Sequence, residues 1–158
     1  MHEFGHLLAF WLIKLEIKEI NFGFANVDIC KARGMSFCGL KKELIVTLSG
    51  SAMNFLAFLI FWILYYSTQE RKCLYFAVQS FAIGTVNFLP IDSLDGGIAL
   101  NLILEKKFGF EKSQKISKIV SWVFLLPIII FGVYILIRSK YNFSVLILAL
   151  YLVFEILK

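Results

Sequence analysis

The feature that most constrains the fold is an uncharged stretch of 23 residues from Leu44 to Tyr66. About 20 apolar residues suffice for an α-helix to cross the ~30 Å hydrocarbon core of a bilayer. A helix is required there because backbone polar groups in lipid must be satisfied internally. The sequence therefore predicts a helical membrane protein. Composition agrees, since 59% of the residues are hydrophobic, against about 45–50% in soluble domains.

Further apolar segments predict additional membrane crossings. They cover residues 74–89 with a continuation at 98–104, residues 119–137 and residues 143–154. Pro90 separates the first two pieces, and because proline breaks a helix it predicts an interruption at membrane depth. The predicted fold class is an all-α polytopic membrane protein, with a first helix followed by about four further spans.

The first helix carries the pattern H-E-x-x-H at residues 2–6, and His2 and His6 are the only two histidines in the chain. Histidines at i and i+4 lie on one helix face, a spacing that suits zinc, and Glu3 beside them is placed to remove a proton from a metal-bound water. The alternative is two satisfied histidines on a surface helix. That alternative fits poorly with the apolar residues 7–13 that follow, because polar side chains facing lipid are costly and usually functional.

The first helix is also too short to cross a membrane. Residues 1–13 precede the charge at Lys14, whereas a span needs about 20 residues. We therefore expect an in-frame extension of about 30–45 residues upstream of Met1, encoding another span and the missing helical turns. Residues 1–158 are predicted to form a single domain from which this first span is missing.

A second polar segment, residues 87–97, interrupts the apolar run around Pro90 and holds two carboxylates, Asp92 and Asp95. Gly96-Gly97 loosens the helix again, and broken helices at membrane depth are tolerated where they line a polar cavity. An acid in such a place is a candidate for the third metal ligand. The alternative is an interfacial loop between two helices. Asp92 and Ser93 themselves are interpreted as loop and cap residues.

Residues 19–40 differ from their neighbours because apolar and polar residues alternate there in part, around a turn near Gly34. This pattern predicts two short strands, a hairpin inserted into the helical domain. The alternative is an ordinary surface hairpin. Cys30 and Cys38 have no C-x-x-C spacing and lie on the predicted cytoplasmic side, so free thiols are expected.

The distribution of basic residues predicts the orientation in the membrane. The side reached after the first helix holds twelve of the sixteen lysines and arginines, and the other side holds Arg71, Lys72, Arg138 and Lys140. The positive-inside rule makes the richer side cytoplasmic. The net charge of +5 is thus explained by topology and contact with anionic lipids. It is no sign of nucleic-acid binding, because no basic groove with interleaved aromatic residues is present.

Taken together, these motifs resemble those of the site-2 protease family of intramembrane zinc metalloproteases. The first is H-E-x-x-H, and the second is N-x-x-P-x-x-x-L-D-G-G at residues 87–97, with Asp95 lying 93 positions after His2. A third, weaker element is G-x-x-x-N from Gly50 to Asn54. The layout is most similar to the subgroup of the stage IV sporulation factor F B-subunit.

The resemblance implies that His2, His6 and Asp95 are the zinc ligands and that Glu3 is the general base. Asn54 and Asn87 match polar positions implied to hold the substrate strand or the oxyanion, and the hairpin matches a membrane-associated sheet. The implied activity is hydrolysis of a peptide bond in or near the membrane segment of a substrate protein. The implied place is a bacterial cell membrane, with the active site in its cytoplasmic half. Sporulation and sigma-factor signalling are among the implied contexts.

Two alternatives stay open at the level of sequence. One is an inactive or truncated paralogue that binds a membrane partner without cleaving it. The other is a small transporter or channel with an intramembrane metal, although no internal repeat supports it. The pattern names neither the substrate nor the oligomeric state.

Overall fold

The computed structural model describes residues 1–13, 17–22, 27–31, 39–139 and 143–157. Over these ranges the chain forms six α-helices and one pair of strands, connected in the order α1, β1, β2, α2 to α6. The elements are α1 His2–Ile13, β1 Ile17–Phe22, β2 Val27–Lys31, α2 Leu40–Thr68, α3 Arg71–Asn87, α4 Asp95–Phe108, α5 Phe110–Ser139 and α6 Ser144–Leu157. The predicted predominance of helix is thus present in the part of the chain that the structure describes.

The chain divides into two compact units, Met1–Asn87 and Phe88–Lys158. The first unit contains α1, the strand pair, α2 and α3, and the second contains the Pro90 loop and α4 to α6. The prediction of a single domain stays a prediction.

Two helices are long and apolar enough to cross a membrane, α2 with 29 residues and α5 with 30. Within the most apolar 18 residues of each helix, only 33% in α2 and 17% in α5 are buried within the protein. The core helix of a soluble protein is, by contrast, mostly buried. Large apolar side chains such as Ile63 and Ile130 are 63% and 68% exposed, which suits a lipid surrounding. Among the described residues, α3 with 17 residues and α6 with 14 are shorter, so about four further spans are not supported.

In the first unit α2 packs against both α1 and α3. The contact with α1 is close at Gly5, where a Cβ atom would lie 2.5 Å from the Ser49 carbonyl oxygen and 2.8 Å from Met53 Cβ. The contact with α3 is aromatic, with the ring of Phe81 centred 5.1 Å from that of Phe58. Such packing places the α1 histidines directly against the middle of α2.

The strand pair is antiparallel, with Ile20 opposite Ile29, Phe22 opposite Val27 and an irregularity between Ile17 and Glu19. The strands begin two residues earlier than the predicted hairpin, 19–40, and the second ends at Lys31. The connection between them lies between Phe22 and Val27, so the predicted turn near Gly34 is wrong, because the alternating run before Gly34 contains both strands rather than one. The last residues of the predicted range, 32–38, which include Cys38, lie outside the described residues. Cys73, on α3, is a free thiol.

The second unit is organised around a small apolar core in which Ile91, Leu125 and Leu152 are fully buried. A tight turn at Gly109 joins α4 to α5, and its φ of 79° favours glycine because a side chain is strained in that region. The Pro90 loop, residues 88–94, separates α3 from α4 as expected, and it returns over the first turn of α4 to reach this core.

Candidate metal centre

The two histidines of the first unit lie one helical turn apart on α1 and direct their ring nitrogens towards the same point. The Nε2 atoms of His2 and His6 are 3.4 Å apart, and the rings stand at 90° to each other. The spacing of four residues produces this arrangement, because side chains at i and i+4 are neighbours on a helix surface. This is the predicted pairing of the two imidazoles.

The separation of the two nitrogen atoms fits a shared metal ion. With Zn–N distances of about 2.0–2.1 Å and tetrahedral angles, two imidazole nitrogens are about 3.3–3.4 Å apart. The observed 3.4 Å equals this edge of a zinc tetrahedron, and it is longer than a typical hydrogen bond of about 2.7–3.2 Å. The pair is therefore spaced as two ligands of one ion.

The outer nitrogen of His6 is held by the backbone of α2. Its Nδ1–H group donates a hydrogen bond to the carbonyl oxygen of Val46 at 2.9 Å, and the hydroxyl of Ser49 donates to the same oxygen at 2.6 Å. A carbonyl oxygen only accepts, so in the neutral ring Nδ1 carries the proton and Nε2 carries the lone pair. Metal-binding histidines are commonly oriented by such a bond.

The outer nitrogen of His2 lies against Asn54, which is only 3% exposed. The Asn54 amide is 3.2 Å from His2 Nδ1. An amide group has both a donor and an acceptor, so it can satisfy either tautomer of the ring. In the structure the amide nitrogen Nδ2 faces His2 Nδ1. A metal at Nε2 would leave the ring proton on Nδ1, and the amide would then have to turn so that its oxygen accepts that proton. The structure thus shows Asn54 beside His2, and its predicted contact with substrate stays a prediction.

Replacing Asn54 by leucine is expected to weaken zinc binding by about 10–100-fold, the usual cost of losing an outer partner of a metal ligand. Asn54→Asp, which keeps an acceptor, should bind zinc more tightly than the leucine variant. Asn87→Leu is the matched control, because the Asn87 amide donates to the Ile83 carbonyl oxygen of its own helix at 3.1 Å. Competition with a chromogenic zinc chelator measures the affinities, and equal values for Asn54→Leu and the wild type would contradict the assignment.

Gly50 leaves the space that both imidazoles occupy. A Cβ atom at this position would collide with His6 Nε2 and lie 2.7 Å from His2 Cε1. Any side chain here must displace the rings, since contacts below 3.0 Å are essentially never seen for a Cβ atom. The close approach of α1 to α2 therefore explains why the first residue of the G-x-x-x-N element, Gly50, is a glycine.

Glu3 lies in the first turn of α1 and is exposed. It is the only acidic residue of α1, all of whose residues the structure describes, and its predicted role as general base stays a prediction. An acidic side chain in the first turn is also favoured by the helix dipole.

Asp95 lies in the second unit, where it is the first residue of α4 and is 8% exposed. Gly96 and Gly97 allow the Pro90 loop to approach it, because a Cβ at Gly96 would collide with the Phe88 carbonyl oxygen and one at Gly97 with that of Ile91. The glycine pair thus serves close packing of the loop on the helix. The assignment of Asp95 as a zinc ligand stays a prediction.

Asp92 and Ser93 lie in the loop before α4, as predicted, but the cap role that was also predicted for them is wrong. The N-cap residue of α4 is Leu94, which makes no side-chain capping bond. Asp92 instead turns towards α5, where its carboxylate accepts a hydrogen bond from the Ser117 hydroxyl. Its backbone N–H donates to Ser121 Oγ at 2.9 Å. Serines at every fourth position in the first part of α5, at 113, 117 and 121, were the signal for this contact, which sequence reasoning missed.

The sequence matches no model of a known protein family and no curated protein.

Proposed function

We propose that this protein is an intramembrane zinc metallopeptidase that hydrolyses a peptide bond in or near the membrane segment of a substrate protein. The observation that carries the proposal is the pair of Nε2 atoms 3.4 Å apart, with His6 oriented by Val46 and His2 by Asn54. Buried orienting partners for both rings are typical of metal sites and are unusual for histidines on a surface helix.

His2, His6 and Asp95 are the proposed ligands, and the support for this set is the H-E-x-x-H motif together with the L-D-G-G motif that carries Asp95. Two histidines and one carboxylate, with a fourth position left open, are typical of catalytic zinc. Bound zinc would polarise the scissile carbonyl and lower the pKa of a water molecule. The Glu3 carboxylate takes the proton of the attacking water and passes it to the leaving nitrogen.

The remaining parts of the chain supply the setting. Helices α2 and α5 are the proposed membrane anchors, and the strand pair 17–31 is the proposed membrane-associated sheet. A free strand edge can bind an extended peptide by strand addition. Unwinding of the substrate is needed because the peptide bonds of a helix are shielded, and Asn54 and Asn87 are proposed to contact the unwound strand.

Zinc stoichiometry is the direct test of the ligand set. The purified wild-type protein is expected to bind one zinc ion, and Asp95→Asn is expected to weaken binding by more than about 100-fold, since losing a ligand costs more than losing an outer partner. Glu105→Gln is the control, because Glu105 is an exposed acid on the same helix. Wild-type protein that binds no zinc after metal loading would contradict the proposal, and unchanged binding in Asp95→Asn would move the third ligand elsewhere.

Sidedness is tested by labelling single cysteines at two exposed positions, Lys107 near the end of α4 and Glu70 between α2 and α3. The positive-inside rule predicts that a membrane-impermeant thiol reagent on the cytoplasmic side modifies Lys107→Cys and spares Glu70→Cys. The three native cysteines are first replaced by serine. The reverse pattern would contradict cleavage in the cytoplasmic half of the membrane and release of the product to the cytosol.

A further inference from the structure

The second unit contains an acid that the proposed chemistry does not use. Asp92 lies in the Pro90 loop, three residues before Asp95, and it is half-buried in an apolar unit. Ionisable groups in such surroundings are rare and usually functional. We propose that Asp92, together with Ser117 and Ser121, forms a clamp that positions the first turn of α4, and with it Asp95. Where it concerns the metal, the proposal rests on the proposed function.

The clamp holds Asp92 at two points. The Ser117 hydroxyl donates to its carboxylate, while its backbone N–H donates to Ser121 Oγ at 2.9 Å. Both serines are fully buried on one face of α5. Side chain and main chain of one loop residue are thus both attached to a long helix.

The attachment of Asp92 also restrains the start of α4, because hydrogen bonds within the loop connect the two. The Ile91 N–H donates to the Leu89 carbonyl oxygen at 2.8 Å, and the Leu94 N–H donates to the Ile91 carbonyl oxygen at 2.8 Å. The Leu94 carbonyl in turn accepts from Ile98 at 3.0 Å, which begins the helix. A continuous series of hydrogen bonds therefore runs from the loop into the turn that carries Asp95.

Packing supports the same coupling. Ile91 is fully buried and belongs to the cluster of Leu125 and Leu152, and its carbonyl oxygen contacts α4 where Gly97 lacks a side chain. A loop that swings away would have to leave the core and open this contact. Leu94 makes no capping bond of its own, so the start of α4 depends on the loop rather than on a local cap.

The test compares clamp variants with a buried serine that has another partner. Ser117→Ala, Ser121→Ala and the double variant remove the clamp, and Asp92→Asn retains an acceptor for Ser117 and the backbone N–H. Ser113→Ala is the matched control, because Ser113 is equally buried on α5 but donates to the Phe110 carbonyl oxygen of its own helix at 2.8 Å. All variants are made in the full chain.

The first measurement follows the loop and needs no metal. A cysteine is placed at Ser93, whose Oγ is buried, in a background in which Cys30, Cys38 and Cys73 are serine. The rate at which a thiol reagent labels this cysteine is expected to rise at least about tenfold in Ser117→Ala, Ser121→Ala and the double variant. Loss of the buried hydrogen bonds permits local opening of the loop. Ser113→Ala and Asp92→Asn should label slowly, like the parent. Equal rates in the clamp variants and the parent would overturn the proposal.

The second measurement follows the metal site through the visible absorption spectrum of protein loaded with Co²⁺. Ser117→Ala and Ser121→Ala should alter the band intensities and weaken cobalt binding by about 10–100-fold. Asp92→Asn should keep the spectrum and the cobalt affinity of the wild type. Faster labelling with an unchanged spectrum would overturn the positioning of Asp95. A wild-type protein that binds no cobalt would contradict the proposed function instead, and the labelling rates would still decide the clamp. Ser121→Thr, which keeps the hydroxyl, should restore both readouts if an alanine variant is unstable.

Discussion

Replacing Glu3 by glutamine is expected to lower the rate of substrate cleavage by about 10²–10⁴-fold, the usual contribution of a general base. Glutamine has nearly the same shape but cannot accept the proton of the attacking water. Bound zinc should stay at the wild-type level, because Glu3 is exposed on α1 and is not one of the proposed ligands. Cleavage is measured as release of a tagged fragment from a single-span test protein reconstituted in liposomes with the zinc-loaded enzyme.

The control for this variant is Glu70→Gln, the same change at an exposed acid between α2 and α3. It should cleave at the wild-type rate and hold the same amount of zinc. Full activity in Glu3→Gln would remove Glu3 from the mechanism. Absence of cleavage by zinc-loaded wild-type protein over a panel of single-span test proteins would instead favour a partner-binding paralogue.

Replacing Gly50 by alanine is expected to abolish stoichiometric zinc binding and, with it, cleavage. The new Cβ atom would collide with His6 Nε2 and approach His2 Cε1 to 2.7 Å, so both rings must leave the positions that set their 3.4 Å separation. Helix propensity alone predicts the opposite, since alanine is favoured over glycine in a helix by about 0.5–1 kcal/mol. Metal analysis of the purified protein measures the loss.

Gly132→Ala is the matched control for this variant, because it makes the same change inside another apolar helix, α5. There the nearest atom to a new Cβ, the Leu146 backbone nitrogen, lies at 3.3 Å, which a small adjustment can accommodate. We expect Gly132→Ala to retain zinc. Full zinc occupancy in Gly50→Ala would show that the α1–α2 contact adjusts freely, and it would contradict the account of the G-x-x-x-N element.

The elements that could be predicted from sequence are those that short-range patterns specify. The uncharged run 44–66 lies within α2, Leu40–Thr68, because the hydrophobic stretch sets the body of the helix and charged residues extend its start. The break at Pro90 also agrees with the structure, since proline cannot continue a helix. The shorter helices α3 and α6 do not reach the length of a crossing, because helix ends are set by turns and packing as well as by hydrophobicity.

The His2–His6 pair could be predicted because a spacing of four residues decides it within one helix. The partners of that pair come from α2, 40 residues later for Val46 and 52 for Asn54. No periodic pattern indicates which carbonyl or amide will meet a given ring over such a separation. For Asn54 the resemblance implied a substrate contact, which stays a prediction, and the structure adds a contact of its amide with His2 that no sequence pattern indicated.

The sequence by itself thus determined the helical, apolar character of the chain, the two histidines on one helix face and the broken segment that carries Asp92 and Asp95. These properties follow from residue type and from spacing along one element. Only the tertiary structure decided that Gly50 makes room for the imidazoles, that Val46 and Asn54 orient them, and that Asp92 is attached to α5 instead of capping α4. The physical reason is that packing and hydrogen bonding between helices depend on which faces meet, and that is settled by the whole unit rather than by any local run of residues.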